Sequence, residues 1–137
     1  YDKDAVIDRI RNIVNASIYD EFIDYRKIHT IYNSNDVLIL PYRQVTQCGP
    51  LLIGYSEGVP SICSDLAGFR EYVTDGVDSM IFDNTAAGLA AKMEEIIKNP
   101  AIIDKLSKGI EEIAMKKFSM EALAGDYIEN FKKCREG

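Results

Sequence analysis

Residues 36–65, DVLILPYRQVTQCGPLLIGYSEGVPSICSD, constrain this chain more than any other stretch. Asp36 is followed by the unbroken apolar run Val37-Leu38-Ile39-Leu40, the pattern of a short parallel strand buried on both faces. Pro41 ends it. A polar loop follows, carrying Tyr42, Arg43, Gln44, Thr46, Gln47, Cys48 and Gly49. Pro50 then suits the first position of a helix, where its missing N–H has no intrahelical partner to lose. The spacing predicts that helix over 51–57, stopped at Gly58, and a second apolar strand over 61–64 after Pro60. A loop at the carboxyl end of a strand gathers backbone N–H groups and the positive end of a helix dipole around one point. An anion, most often a phosphate, fits there.

Flanking segments extend the same alternation. A helix is expected over 2–14, with Val6, Ile10, Ile13 and Val14 on one face, and a strand over 17–23. Tyr25, Ile28, Ile31 and Tyr32 repeat at helical spacing. Met80-Ile81-Phe82 reads as a strand after the turn at Asp75-Gly76, and Asn84 or Thr85 can cap a helix burying Leu89, Met93, Ile96 and Ile97. Asn99-Pro100 breaks it. Ile102, Leu106, Ile110 and Ile113 mark another helix. Ser119 is positioned to cap the last, with Met120, Leu123, Ala124, Tyr127, Ile128 and Phe131 inward. Four strands alternating with helices imply an α/β fold, a Rossmann-like parallel sheet with flanking helices and right-handed crossovers.

Composition narrows the function classes. A chain of 137 residues, 47% hydrophobic and 28% charged, is long enough for one domain with a real core. Its net charge of −6 argues against a nucleic-acid surface, which needs clustered Lys and Arg. No apolar run approaches the ~20 residues of a membrane span, and no signal peptide is visible at Tyr1. Cys48, Cys63 and Cys134 are widely spaced and odd in number, and the chain has a single histidine. No zinc set emerges, so no metal or other cofactor is expected. The expected location is a reducing cytoplasm, with the inner face of the membrane left open for a longer protein. A dinucleotide oxidoreductase is disfavoured, because no Gly-x-Gly-x-x-Gly follows a strand.

Several short motifs in order carry a family resemblance. Pro41-Tyr42, Gly49-Pro50-Leu51-Leu52, Gly58-Val59-Pro60, Asp65-Leu66-Ala67-Gly68-Phe69-Arg70-Glu71 and Asp75-Gly76 resemble the donor-binding, C-terminal half of a GT-B glycosyltransferase of the family 4, or group 1, type. The likeness runs from about Arg26 to the C-terminal helices. It implies a retaining transfer of a sugar from a nucleotide-sugar donor to an acceptor held by another domain. It also implies a sheet of about six strands in the order 3-2-1-4-5-6. Counted that way, 17–23 is the third strand, and the first two strands, the acceptor domain and an early phosphate-binding cation fall before Tyr1. The chain is then expected to be one partial domain, 1–137, whose exposed sheet edges favour self-association or pairing with another chain. Most members place a Glu pair around the loop, one for the donor sugar and one for the ribose. Val45 and Ile53 stand at those positions here, while Thr46-Gln47-Cys48-Gly49 resembles the Thr-Gln-Ser-Gly loop of a subset.

The candidate donor- and phosphate-binding residues are therefore Arg43, Thr46, Gln47, Cys48, Gly49 and Leu51, with Tyr42 and Glu57 as candidates for ribose or sugar contact. No catalytic acid or base is assigned. Each residue has a plainer alternative. Thr46 to Gly49 also read as an ordinary strand-to-helix loop, Arg43 as a solvated cation, and Glu57 as a carboxylate at a helix end. Cys48 reads as a small loop residue, since no adjacent base would form its thiolate. His29 reads as a helix-surface residue. Glu71 is expected to cap the amides of the next turn. Three function classes stay open: a transferase, a nucleotide-binding module without catalysis, and an interaction domain.

Overall fold

A computed structural model describes residues 3–113 and 120–136. The elements run α1 (Lys3–Arg11), α2 (Tyr25–Asn33), β1 (Leu38–Leu40), α3 (Gly49–Ser56), β2 (Ser61–Ser64) and α4 (Ala67–Arg70). They continue with β3 (Ser79–Phe82), α5 (Ala86–Lys98), α6 (Ala101–Ile113) and α7 (Met120–Glu136). The three strands form one parallel sheet in the order β1-β2-β3, with Leu38 opposite Ser61 and Ser61 opposite Ser79. Each crossover is helical, as parallel pairing demands. The α/β, Rossmann-like architecture is the one the alternation predicts.

All four residues of β2 and of β3 are buried. Their side chains alternate between two core layers. Cys63 and Ile81 face Leu51, Tyr55 and Phe69 of α3 and α4, while Ile62, Met80 and Phe82 face Ile96 and Leu106 of α5 and α6. Between the strands, polar groups are matched rather than buried bare. Ser61 Oγ and Ser79 Oγ lie 2.9 Å apart, and the fully buried Asp78 carboxylate accepts the Thr74 N–H at 2.9 Å. The end of α3 is equally determined. Gly58, at φ 71°, donates to Tyr55 O at 3.2 Å and Val59 N donates to Gly54 O at 2.8 Å, a Schellman closure that turns the chain into β2.

Three expectations are corrected. The segment 17–23 is no strand, so the sheet of the described residues has three strands rather than four, with β1 at its edge. Phe22 there is 94% exposed, and the Lys3–Asp20 ion pair, 2.7 Å, ties the segment to α1 rather than to the sheet. The first helix stops at Arg11, leaving Ile13 and Val14 exposed. Ala124, Tyr127, Ile128 and Phe131 of α7, and Met93 and Ile97 of α5, are exposed rather than inward. Asn84 adopts φ 66° while Thr85 serves as the cap, its hydroxyl accepting the Gly88 N–H at 2.9 Å. The cap expected at Ser119 lies outside the described residues, as do the side chains of Met120 and Leu123.

Candidate functional site at the carboxyl ends of the strands

The carboxyl ends of β1, β2 and β3 open onto a crevice of about 390 Å³, bordered by Tyr42, Arg43, Ser64, Phe82, Asn84 and Thr85 among others. This is the end of an open parallel sheet where ligands bind. Its floor is cross-braced: Asp65 N donates to Phe82 O and Asn84 Nδ2 to Asp65 O, both at 2.9 Å. Asp65 also takes a two-pronged hydrogen bond from Arg70, 2.6 and 2.8 Å, which holds its carboxyl below the usual carboxylate range. Arg43 has no ion-pair partner among the described residues.

Two helices of more than one turn begin at this end of the sheet, and their N-termini differ. In α5 the Thr85 hydroxyl takes the Gly88 amide, and the Asp83 carboxylate, which accepts Thr85 N–H at 3.2 Å, complements the dipole. In α3 the cap is Cys48, whose thiol makes no capping bond. Pro50 has no N–H, and Leu52 N donates to Cys48 O at 3.2 Å. The amides of Gly49 and Leu51 are therefore left without an intrahelical partner. Nothing lies within 4 Å of where a Gly49 Cβ would sit, so the space over this turn is open.

The loop itself is held from below. Cys48 is buried, Val45 rests its carbonyl against Gly68 of α4, and the Tyr42 ring tilts against Phe69 with centroids 5.7 Å apart. Burial, and then the neighbouring Cys48 thiol, push the Tyr32 and Tyr42 phenols above the ordinary tyrosine range. Both therefore remain protonated donors at neutral pH. Burial likewise pushes the Cys63 thiol up to about 11, so it stays a core thiol.

The sequence-derived candidates separate into three places. Thr46, Gln47, Cys48, Gly49 and Leu51 form the loop and first turn of α3; Thr46, Gln47 and Gly49 are exposed, while Cys48 and the Leu51 side chain are buried. Tyr42 and Arg43 turn into the crevice instead. Glu57 is at the opposite end of α3, about 12 Å of helix away. There its carboxylate takes hydrogen bonds from Asn33 Nδ2 at 2.6 Å and from His29. Glu71, expected as an N-terminal cap, instead ends α4, its own N–H donating to Ala67 O at 3.2 Å. Sequence reasoning missed Ser64, Asn84 and Thr85 as crevice residues. Their position at strand ends was the available signal, since each strand's last residue and the next few face this side.

Comparisons with known proteins fit this geometry. The family described as glycosyl transferases group 1 matches residues 3–99. An uncharacterized 41.2 kDa protein in the cps region of Klebsiella pneumoniae is 24% identical over 136 residues, covering 88% of this chain and 37% of that protein. The fold superposes on sucrose-phosphate synthase from Thermosynechococcus elongatus with a TM-score of 0.79 and 19% identity, covering 97% of this chain and 33% of that one. The chain thus spans about a third of the length of each relative. Its three-stranded sheet with flanking helices is part of a GT-B fold. With 97 consecutive residues under the family match, this chain belongs to the group 1 glycosyl transferases.

Proposed function

We propose that the chain is the donor-binding part of a retaining glycosyltransferase that moves a sugar from a nucleotide sugar to an acceptor. The observation that carries the reading is the N-terminus of α3, which has no side-chain cap and opens at the same end of the sheet as a ligand-sized crevice, whereas Thr85 caps the neighbouring α5. A donor diphosphate over that turn would meet the amides of Cys48, Gly49 and Leu51 and the positive end of the helix, with Thr46 and Gln47 at its side. Arg43, at the crevice border and without an ion-pair partner among the described residues, supplies the cation. The crevice has room for a sugar or nucleoside ring beside Tyr42.

In this mechanism the bond between the sugar's anomeric carbon and the diphosphate oxygen breaks, and negative charge grows on the departing diphosphate. Donors already aimed at that charge stabilise the transition state more than the ground state. The amides and dipole can do this without a metal ion. The departing phosphate accepts the proton of the acceptor hydroxyl, which attacks the same face of the sugar; no Asp or Glu need act as general base. The acceptor and its domain belong to the longer protein, working on the cytoplasmic side, and the cps-region relative favours polysaccharide synthesis as the setting.

A second reading, a nucleotide-binding module without turnover, is favoured by one observation. Val45 and Ile53 place two apolar side chains where the resemblance calls for sugar- and ribose-binding carboxylates. Turnover of nucleotide sugars by the full-length protein separates the two readings.

The cradle is tested by titrating UDP and GDP into the full-length protein while following backbone amide signals. Residues 46–51 are expected to shift. Gly49→Val fits the open space of the unliganded turn but crowds an approaching phosphate, so it should weaken nucleotide binding about tenfold or more, ~1.4 kcal/mol per decade. Shifts confined to the C-terminal helices would refute the assignment.

A further inference from the structure

The helix α2 buries none of its residues, yet it touches both ends of α3 through polar groups. At the far end, Asn33 and His29 hold Glu57. At the near end, the half-buried Tyr32 donates its hydroxyl to the Pro50 carbonyl at 3.1 Å. Its ring lies against Gly54, where an added Cβ would stand 3.7 Å from Tyr32 Cε1, an ordinary contact. Pro50 is the residue between the two open amides of the first turn, and it has no N–H with which to be held from the other side. The Tyr32 hydroxyl is thus a side-chain contact on the Pro50–Leu51 peptide, the one that carries the Leu51 N–H.

We infer that Tyr32 is a positioning residue, whose hydroxyl, delivered by a helix outside the site, fixes the first turn of α3 and so the direction in which the Leu51 amide points. The inference rests on the donor-cradle reading for its consequence in binding. A hydrogen bond to a carbonyl orients its peptide plane, and the N–H of that same plane, here Leu51's, turns with it. Preorganised donors stabilise an anion only when their direction is set before it arrives. The phenol remains protonated through the neutral range, so the contact persists at the pH where a nucleotide would bind.

The test uses full-length protein carrying Tyr32→Phe, with Tyr25→Phe, an exposed tyrosine of the same helix, as control. The probes are inorganic pyrophosphate, UDP and uridine. Tyr32→Phe should weaken pyrophosphate and UDP by about fivefold, as expected for one neutral hydrogen bond, and leave uridine unchanged. Equal weakening of UDP and uridine would indicate general loosening and overturn the inference, as would unchanged affinity for all three. If neither pyrophosphate nor UDP perturbs residues 46–51 of the unaltered protein, the cradle reading fails. The inference is then decided on the unliganded amide signal of Leu51. It should move in Tyr32→Phe and not in Tyr25→Phe; a Leu51 amide unmoved in both would refute the positioning role.

Discussion

Gly68→Ala is the sharpest perturbation of the loop from outside it. A Cβ at Gly68 would lie 2.5 Å from the Val45 carbonyl oxygen and 3.2 Å from a Val45 Cγ. Restoring ordinary contact near 3.4 Å requires the loop to withdraw by about 0.9 Å. The obstacle is backbone, not the end of a flexible side chain, so relief must come from moving the loop or α4. Overpacking of this kind costs ~1–3 kcal/mol. The gain of up to ~1 kcal/mol from replacing a helical glycine applies weakly in a helix of four residues. The net expectation is destabilisation of about 1–2 kcal/mol, or roughly 3–8 °C in thermal midpoint. Val45 is three residues from Cys48, so the amide signals of 45–48 should move, and UDP affinity should fall with them. Gly49→Ala, with nothing within 4 Å, should leave both stability and those signals close to the unaltered protein. Calorimetry and amide spectra of the two variants decide the matter. A Gly68→Ala protein as stable as the parent, with residues 45–48 unmoved, would refute the tight Val45–Gly68 contact and its role in seating the loop.

Two further outcomes follow from the same end of the sheet. Thr85→Ala removes the α5 cap and should cost about 1 kcal/mol in chemical denaturation, with hydrogen exchange accelerating first at Gly88; an unchanged Gly88 amide would count against the cap. Arg70→Gln should return the Asp65 titration, followed by side-chain carboxyl signals, toward the ordinary value of about 3.9. Because the Asp65 carboxyl is depressed in the folded protein, any stability the pair contributes is present above that ordinary value and is lost as pH falls through the folded one. The variant should therefore lack that loss on acidification.

Periodicity and punctuation made β1, β2, β3 and their connecting helices legible, because each signal is local: an apolar run, a proline at a helix start, a glycine with positive φ at its end. The segment 17–23 failed for the opposite reason. Ile18, Tyr19, Phe22 and Ile23 have strand-forming side chains, but a strand exists only against a partner, and its sequence cannot supply one. The stripe of Tyr127, Ile128 and Phe131 is likewise a correct helical face without a surface among the described residues to meet it. At the site, the loop was legible and its division was not. That Arg43 turns to the crevice while Thr46 and Gln47 stay with α3 depends on how Val45 seats against Gly68, a contact 23 residues apart in the chain. Glu57 was drawn toward the donor by proximity in sequence, although the length of α3 alone places it at the far end.

The strand order β1-β2-β3, identical to the order of synthesis, bears on how this part of the chain acquires its structure. Paired residues are only about twenty apart in both ladders, so neither pairing needs a distant segment of the chain. Each closure encloses one short helix, so its entropy cost is modest, and the second begins from a strand already fixed by the first. The middle strand β2 takes part in both closures and has all four residues buried, which makes it the natural centre of the nucleus. The first turn of α3 lies inside the first of these closures. Pairing β1 with β2 draws in Gly49 and Leu51 together, and the two amides are brought to the sheet's end as soon as the earliest ladder forms.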